Sequence, residues 1–331
     1  MEANIENRKM FRSAIAALFM LALSGECFAQ SGEAKDNRQS SQRADTIVHK
    51  KFITTSPRLG GVTVTNTFIP VKADGNTFTI QMPTVDIGIP VYKNFRTKHP
   101  VLVKAGIRYQ GLILSDERKI GSNAFHSISI PVLFSYSITR ATNLTLISST
   151  SVNSDYKQDI EEQDILYTVG VRIGFHQDRK FKYGITPTYT KGYSGTFLLP
   201  IIDIDWTINK RLTLTAILPA RATLKYKVSE IHSLGATVWI GGNNMYRLNE
   251  AEKEQYIHLR QNNAGLLYEA KLGQRWKLNL TAGYTLMQKL ETFDIDQKIS
   301  LNKFNDLNHR RTNVAYHEKS FVVQTGISYQ F

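Results

Sequence analysis

Apolar and polar residues alternate with a period of two along most of this chain from about Gly60 onward, and the last twelve residues carry the pattern most clearly. Phe321, Val323, Thr325, Ile327, Tyr329 and Phe331 fall on one face of an extended segment, and Ser320, Gln324, Gly326, Ser328 and Gln330 on the other, with Val322 the one apolar exception. Successive side chains of a strand point to opposite faces, so each such segment predicts a strand with one apolar and one polar surface. Ile165–Phe175, Trp276–Leu286 and Ile128–Ile138 repeat the pattern. An apolar edge strand in water invites aggregation. A closed barrel in a bilayer removes the difficulty, because lipid covers the apolar face and neighbouring strands take the backbone hydrogen bonds.

The connections sort into two kinds. Short polar turns are expected near Asn94–Lys98, Thr139–Asn143, Gln177–Lys180, Asn209–Arg211, Ser229–His232 and Gly273–Arg275. Longer, irregular ones are expected at Ser115–Asn123, Asn153–Gln163, Lys191–Thr196, Arg247–Gln255 and Glu291–Lys319. This asymmetry, with short turns inside and long loops outside, is that of an outer-membrane barrel. The count between connections is about fourteen strands, or about twelve if Thr213–Leu218 and Leu224–Val228 merge, so the expected fold is an all-β, closed antiparallel transmembrane barrel. Strand Phe321–Phe331 is expected to close on Gly61–Ile69. Apolar Ile299, Leu301 and Phe304 suggest that strands extend as a hairpin into the longest loop.

Pro83, Pro131, Pro187, Pro200 and Pro219 interrupt predicted strands at a similar distance from the short turns. Around Pro83 the apolar phase slips, from Phe78, Ile80 and Met82 to Val85, Ile87, Ile89 and Val91, which predicts a β-bulge. The prolines either end regular pairing near the outer interface or bend the wall toward a lateral opening.

The N-terminus is laid out as a secretory signal peptide over residues 1–29: basic Arg8, Lys9 and Arg12, an apolar run from Ser13 to Leu23, and small Ala29 before Gln30. Glu26 breaks a lipoprotein pattern before Cys27. Cleavage after Ala29 would remove that single cysteine, so no disulfide is expected. Residues 30–58 are rich in Ser, Gln and charge and read as a flexible periplasmic tail, leaving 59–331 for the barrel. About thirty residues are too few for the folded plug of a TonB-dependent transporter. Hydrophobic content of 42% with a mean hydropathy of −0.26 is too polar for a helical membrane protein and suits a barrel. The net charge of +13, in a membrane rather than on nucleic acid, points to anionic lipopolysaccharide or to an anion-favouring interior.

If apolar faces meet lipid, polar faces line the lumen. That assigns Lys104, Arg108, Arg172, Lys182, Lys225, Lys227, Lys271 and Lys277 inward, with Asp86, Asp203, Asp205 and Glu269. Eight cations against four carboxylates form either a structural network, with Asp203 and Asp205 facing Lys225 and Lys227 or their neighbours, or a lumen that favours anions. Catalytic signals are weak. His126 and Ser127 are adjacent in a strand and point to opposite faces, and paired Asp203 and Asp205 lack a neighbouring His. His309, His317 and Glu318 have no metal-ligand spacing, so neither a metal nor a cofactor is expected.

The terminal strand ending in Phe331, with Tyr329 before it, resembles the closing strand of bacterial outer-membrane barrels. With the Pro-interrupted strands and pieces such as Phe197-Leu198-Leu199-Pro200 and Ala282-Gly283-Tyr284, the stretch Gly60–Phe331 resembles a group of outer-membrane barrels typical of Bacteroidota, known only as a domain of unknown function. The resemblance implies that Phe321, Val323, Ile327, Tyr329 and Phe331 form the strand read by the barrel-assembly machinery. The leading expectation is a monomer among outer-membrane lipid and lipopolysaccharide, passing or binding a small solute. The rival expectations are a side-chain-filled surface barrel and a membrane-embedded hydrolase.

Overall fold

The computed structural model describes residues 60–73, 76–139, 141–176, 180–249, 254–296 and 311–331; the expected signal peptide and tail lie outside them. The strands are β1 (Gly61–Ala73), β2 (Asn76–Asn94), β3 (Val101–Ser115), β4 (Ala124–Ser137), β5 (Thr142–Ser154), β6 (Ile165–His176), β7 (Phe181–Gly192) and β8 (Gly195–Thr207). They continue as β9 (Leu212–Leu218), β10 (Arg221–Lys227), β11 (His232–Leu248), β12 (Gln255–Leu272), β13 (Trp276–Asp294), β14 (Ala315–Tyr316) and β15 (Phe321–Gln330). Neighbours in sequence pair antiparallel, and β15 closes the ring by pairing with β13 (Trp276↔Tyr329) and β1 (Gly61↔Gln330). The result is a closed antiparallel barrel of 14 strands, with β14 a two-residue addition alongside β13. β9 and β10 are separate paired strands, which decides the strand number.

The expected short turns gather at one rim, and the other carries the longer loops together with two-residue turns that join β1 to β2, β7 to β8 and β9 to β10. One expected loop is absent: at Lys191–Thr196, β7 and β8 pair to Gly192↔Gly195, leaving only Tyr193 and Ser194 as the turn. Between the rims, the outer surface is an apolar band of residues such as Ile130, Val132, Val171, Ile173, Leu278 and Leu280. Aromatic contacts edge it on both sides: Trp276 on Tyr329 (4.7 Å between ring centres) and Phe175 on Tyr183 (5.2 Å) at the short-turn rim, and Tyr167 on Tyr189 (6.0 Å) at the other boundary. Trp276 and Tyr284 lie eight residues apart on β13, about 20 Å at a rise of ~3.4 Å and a tilt of ~40°, close to the height of a membrane-barrel band. No α-helix is present among the described residues.

Beyond the band the polarity of the wall inverts. On β2, Thr84, Asp86 and Gly88 face in while Val85, Ile87 and Ile89 face out; nearer the long-loop rim Phe78, Ile80 and Met82 face in and are buried. Parity does not change, and the register with β1 and β3 runs straight past Pro83. The bulge expected at Pro83 is therefore not there. The apparent slip arises because the outside becomes water above the membrane, so apolar side chains turn to the interior. The β2 irregularity lies lower, between Pro90 and Tyr92. Ladders lapse opposite Pro83, Pro131 and Pro187, where the ring removes an N–H, and resume in unchanged register.

The wall is uneven. β9 and β10 have seven residues each, whereas β11, β12 and β13 have 17, 18 and 19. β11 leaves β10 after Arg221↔Trp239, bulges between Ile240 and Gly242, and reaches β5, where Arg247 pairs with Ser154. The upper β11–β12 hairpin thus lies across the mouth. Its inner face packs on β1–β4, as Tyr246 does on Phe125 (5.8 Å). Its outer face meets the β7–β8 turn, with Tyr256 stacked on Tyr193 (6.0 Å). Ile69, Ile80, Leu112, Leu114, Leu259 and Leu290 fill the interior beneath it and are fully buried. Val322, the exception to the terminal alternation, points into this filling.

Candidate functional site: the barrel interior

The interior has three levels. Nearest the short-turn rim is a charged basin. Arg108 grips Asp86 through Nε (3.0 Å) and Nη2, directly across the β2–β3 ladder. Arg172 holds Asp203 with two parallel bonds, Nε to Oδ1 at 2.7 Å and Nη2 to Oδ2 at 2.6 Å, and gives Nη1 to Asn143 Oδ1 at 3.2 Å. The guanidinium lies flat over Gly174 and Gly184, where a Cβ would stand 2.1 Å and 2.7 Å from its nitrogens. Glu269 bridges Lys225 (3.3 Å) and Lys277 (3.2 Å). Lys225 reaches past Gly235, its side-chain-free register partner on β11. Lys182 stands opposite Asp205, Lys271 opposite Lys277, and Lys104 leans over Gly88. Lys227 pairs with Glu230 at the rim (2.5 Å). The expected partnership of Asp203 and Asp205 with Lys225 and Lys227 does not form. β8 and β10 are separated by β9; Asp203 instead binds Arg172 on β6, and Asp205 stands opposite Lys182 in the β7–β8 register.

The middle level is polar and uncharged except for Arg221. From the first position of β10 its Nη2 approaches Gln324 Oε1 on β15 at 3.5 Å, and Gln324 donates to Thr67 Oγ1 (3.1 Å). Gln261 Nε2 donates to Gln288 Oε1 (3.1 Å). Above it sits the apolar filling.

The long-loop rim is tied down by ion pairs that the pattern of alternation did not reveal. Arg247, 2% exposed, bonds Asp164 (3.0 Å), Glu161 (3.2 Å) and Glu254 (3.1 Å). Tyr193 donates to Asn153 O (2.6 Å) and lies 3.0 Å from Asp164 Oδ1; burial and that carboxylate push its phenol well above the usual range. Tyr316 donates to Glu117 (2.6 Å). Glu291 binds Arg260 and His317 (2.5 and 2.8 Å). Burial alone would push the Glu291 carboxyl up, but Arg260 and His317 outweigh it and hold it below the ordinary value. These residues sit at parities where sequence alone assigns either a loop or a lumen, so spacing did not single them out.

His126 and Ser127 act on opposite faces of β4, His126 Nδ1 against Tyr109 Oη (2.8 Å) and Ser127 Oγ donating to Asn153 Oδ1 (2.6 Å), so they form no dyad. His317 is engaged with Glu291, His309 lies outside the described residues, and no cluster of three metal-ligating side chains occurs among the described residues. On the terminal strand, Phe321, Ile327 and Phe331 are exposed on the outer face; Val323 and Tyr329 are half-buried, the latter taking a hydrogen bond from Arg275 (3.0 Å).

A closed barrel with an apolar belt, a charged basin and a filled mouth defines a class of membrane-spanning β-barrels. Residues 74–330 match the domain of unknown function DUF6268, and the chain belongs to that family. No curated protein sequence matches the chain. Among solved structures it is similar to the translocator domain of the autotransporter NalP from Neisseria meningitidis (11% identity, TM-score 0.31, 84% of this chain and 91% of that one). It is also similar to the toluene transporter TodX of Pseudomonas putida (10% identity, TM-score 0.37, 82% and 88%). Superpositions this loose carry no argument about activity.

Proposed function

We propose that the protein is an outer-membrane barrel that binds a small solute, anionic in preference, in an interior closed toward the outside, and that it is not a freely conducting pore. The observation that carries this reading is the packed apolar filling under the β11–β12 hairpin. A conducting lumen needs a water-lined path, and side chains such as Leu112, Leu259 and Leu290 have no water-accessible surface. The short turns face the periplasm and the long loops the exterior, as in barrels of this build. The solute reaches the basin from the periplasmic rim. Inward cations outnumber the carboxylates that hold them, which favours an anion. Phe321, Val323, Ile327, Tyr329 and Phe331 serve as the strand taken up by the barrel-assembly machinery, and lipid with lipopolysaccharide surrounds a monomer. No nucleic-acid partner and no catalytic step are assigned.

The test is planar-bilayer conductance. The purified barrel is expected to show no steady current. Replacing residues 243–260 with a two-glycine turn, which joins the register pair Gly242↔Gln261, is expected to open one. Steady conductance in the intact protein overturns the closed reading. A second reading, a side-chain-filled surface barrel without a ligand, is favoured by the ion pairing of Asp86, Asp203 and Glu269. Absence of any solute binding would select it.

A further inference from the structure

The middle level of the interior holds an arrangement that neither the charged basin nor the apolar filling accounts for. One cross-strand row runs Arg221, Trp239, Asn263 and Thr285, each opposite the next on β10, β11, β12 and β13. One step toward the mouth, Gln261 stands opposite Gln288. Trp239, Gln261, Asn263 and Gln288 are between 0 and 4% exposed. Five of their side-chain atoms have no hydrogen-bond partner: Trp239 Nε1, Gln261 Oε1, Asn263 Nδ2 and Oδ1, and Gln288 Nε2. A buried polar atom left this way is destabilising, and folded proteins rarely leave several together.

The backbone concentrates these groups. Register shifts at Ile240/Gly242 on one side of β12 and at Asn262/Asn263 on the other lie at the same height. Bulges re-aim side chains, and here they bring two of the orphans together. A Cβ on Gly241 would stand 2.1 Å from Asn263 Nδ2 and 3.1 Å from Gln261 Oε1, so only glycine leaves them room. Arg221 adds a charge. Whereas Arg108, Arg172, Arg247 and Arg260 each hold a carboxylate, Arg221 has no ion pair among the described residues, and its contact to Gln324 is long at 3.5 Å.

We propose that this cluster is a binding site for a small carboxylate that also carries a hydrogen-bond donor, such as a hydroxy acid. The carboxylate lies on the Arg221 guanidinium with the N–H groups of Trp239, Asn263 and Gln288. The donor group of the ligand is taken by Gln261 Oε1 and Asn263 Oδ1. Water alone would satisfy the amides but would leave the guanidinium without a counter-charge in the interior. The site deepens the reading of the barrel as a closed binding vessel and rests on it.

Trp239 reports on the site directly. The chain has three tryptophans, and Trp206 and Trp276 are exposed on the outer face, so Trp206→Phe with Trp276→Phe leaves Trp239 as the sole emitter. Lactate is titrated into the full barrel in detergent, with glycerol as the uncharged probe of similar size. Lactate is expected to change the emission saturably and glycerol not at all. Arg221→Gln is expected to weaken lactate by about tenfold or more, the loss of a charged hydrogen-bonding partner, while Arg118→Gln on an exposed loop leaves it unchanged. If Arg221→Gln fails to fold, judged by loss of heat-modifiable migration, Gln288→Met takes its place, with a several-fold weakening expected. No saturable response to lactate, an equal response to glycerol, or an undiminished response in the variant overturns the site. Conductance is measured without ligand, so a silent barrel that ignores lactate loses this site alone, whereas a conducting barrel loses the closed reading and with it the site that rests on it.

Discussion

Two leucines seven residues apart on β12 show how differently one strand is used above and below the membrane boundary. Leu266 points outward and is 73% exposed, part of the apolar belt; Leu259 points inward and is 0% exposed, part of the filling. Near Leu266 the opposite face carries Glu269 and Lys271, whereas near Leu259 it carries Arg260 and Asn262. The backbone alternates in the same way throughout. What changes is the solvent on the outside, lipid beside Leu266 and water beside Arg260, and the apolar face follows it. The molecule is thus a membrane barrel continued by a water-facing barrel whose core is conventional.

The comparison breaks most sharply under one substitution made in both places. Leu259→Arg puts an unpaired charge in a filled interior and is expected to cost more than about 4 kcal/mol, enough to prevent stable folding. Leu266→Arg is expected to cost about 2–4 kcal/mol, the range for a cation on the lipid face near mid-membrane. Urea unfolding in lipid vesicles measures both. Equal costs would mean that the two leucines occupy the same environment.

The basin sharpens the comparison at the next level of energy. Arg172→Gln is expected to destabilise by about 3 kcal/mol, because Asp203 is left buried without its bidentate partner. Arg108→Gln is expected to cost below about 1 kcal/mol, since the Arg108 side chain is 46% exposed and its pair with Asp86 is solvated. The same unfolding assay reads the difference, and equal losses would show that the basin is uniformly wet.

The barrel itself was legible because a period of two, sustained over many segments and punctuated by polar turns, allows few other folds. Strand closure between Phe321–Phe331 and Gly61–Ile69 followed from the same pattern, and Gly61↔Gln330 realises it. The inversion was less legible. Phe78, Ile80 and Met82 look like a slipped phase at Pro83 unless the membrane boundary is placed first. Val322 looked like noise for the same reason. Individual ion partners were not legible, because inward parity selects a face and not a neighbour: Asp203 chose Arg172, a residue 31 positions away. Arg221, Trp239, Gln261, Asn263 and Gln288 converge only through three strand registers and two bulges. Their one trace in the sequence is a group of inward-phase polar residues lying between charged and apolar ones.

The smallest expected effect concerns pH at the mouth. Glu291 lies beyond Leu286, where the apolar belt of β13 ends, and faces Arg260 and His317. Its carboxyl is held below the ordinary value, so it contributes stability that is fully present above the usual carboxylate range and is lost as pH falls through its depressed pKa. The β13–β14 contact, Glu291↔Ala315, should therefore loosen at acid pH while the membrane-embedded strands stay paired. Amide hydrogen exchange at Thr292 and Asn313, compared between pH 6 and pH 3 after correction for the intrinsic rate, is expected to show lower protection at pH 3, and Glu291→Gln is expected to make protection independent of pH. A pH dependence that survives Glu291→Gln would place the sensitive group elsewhere in the mouth.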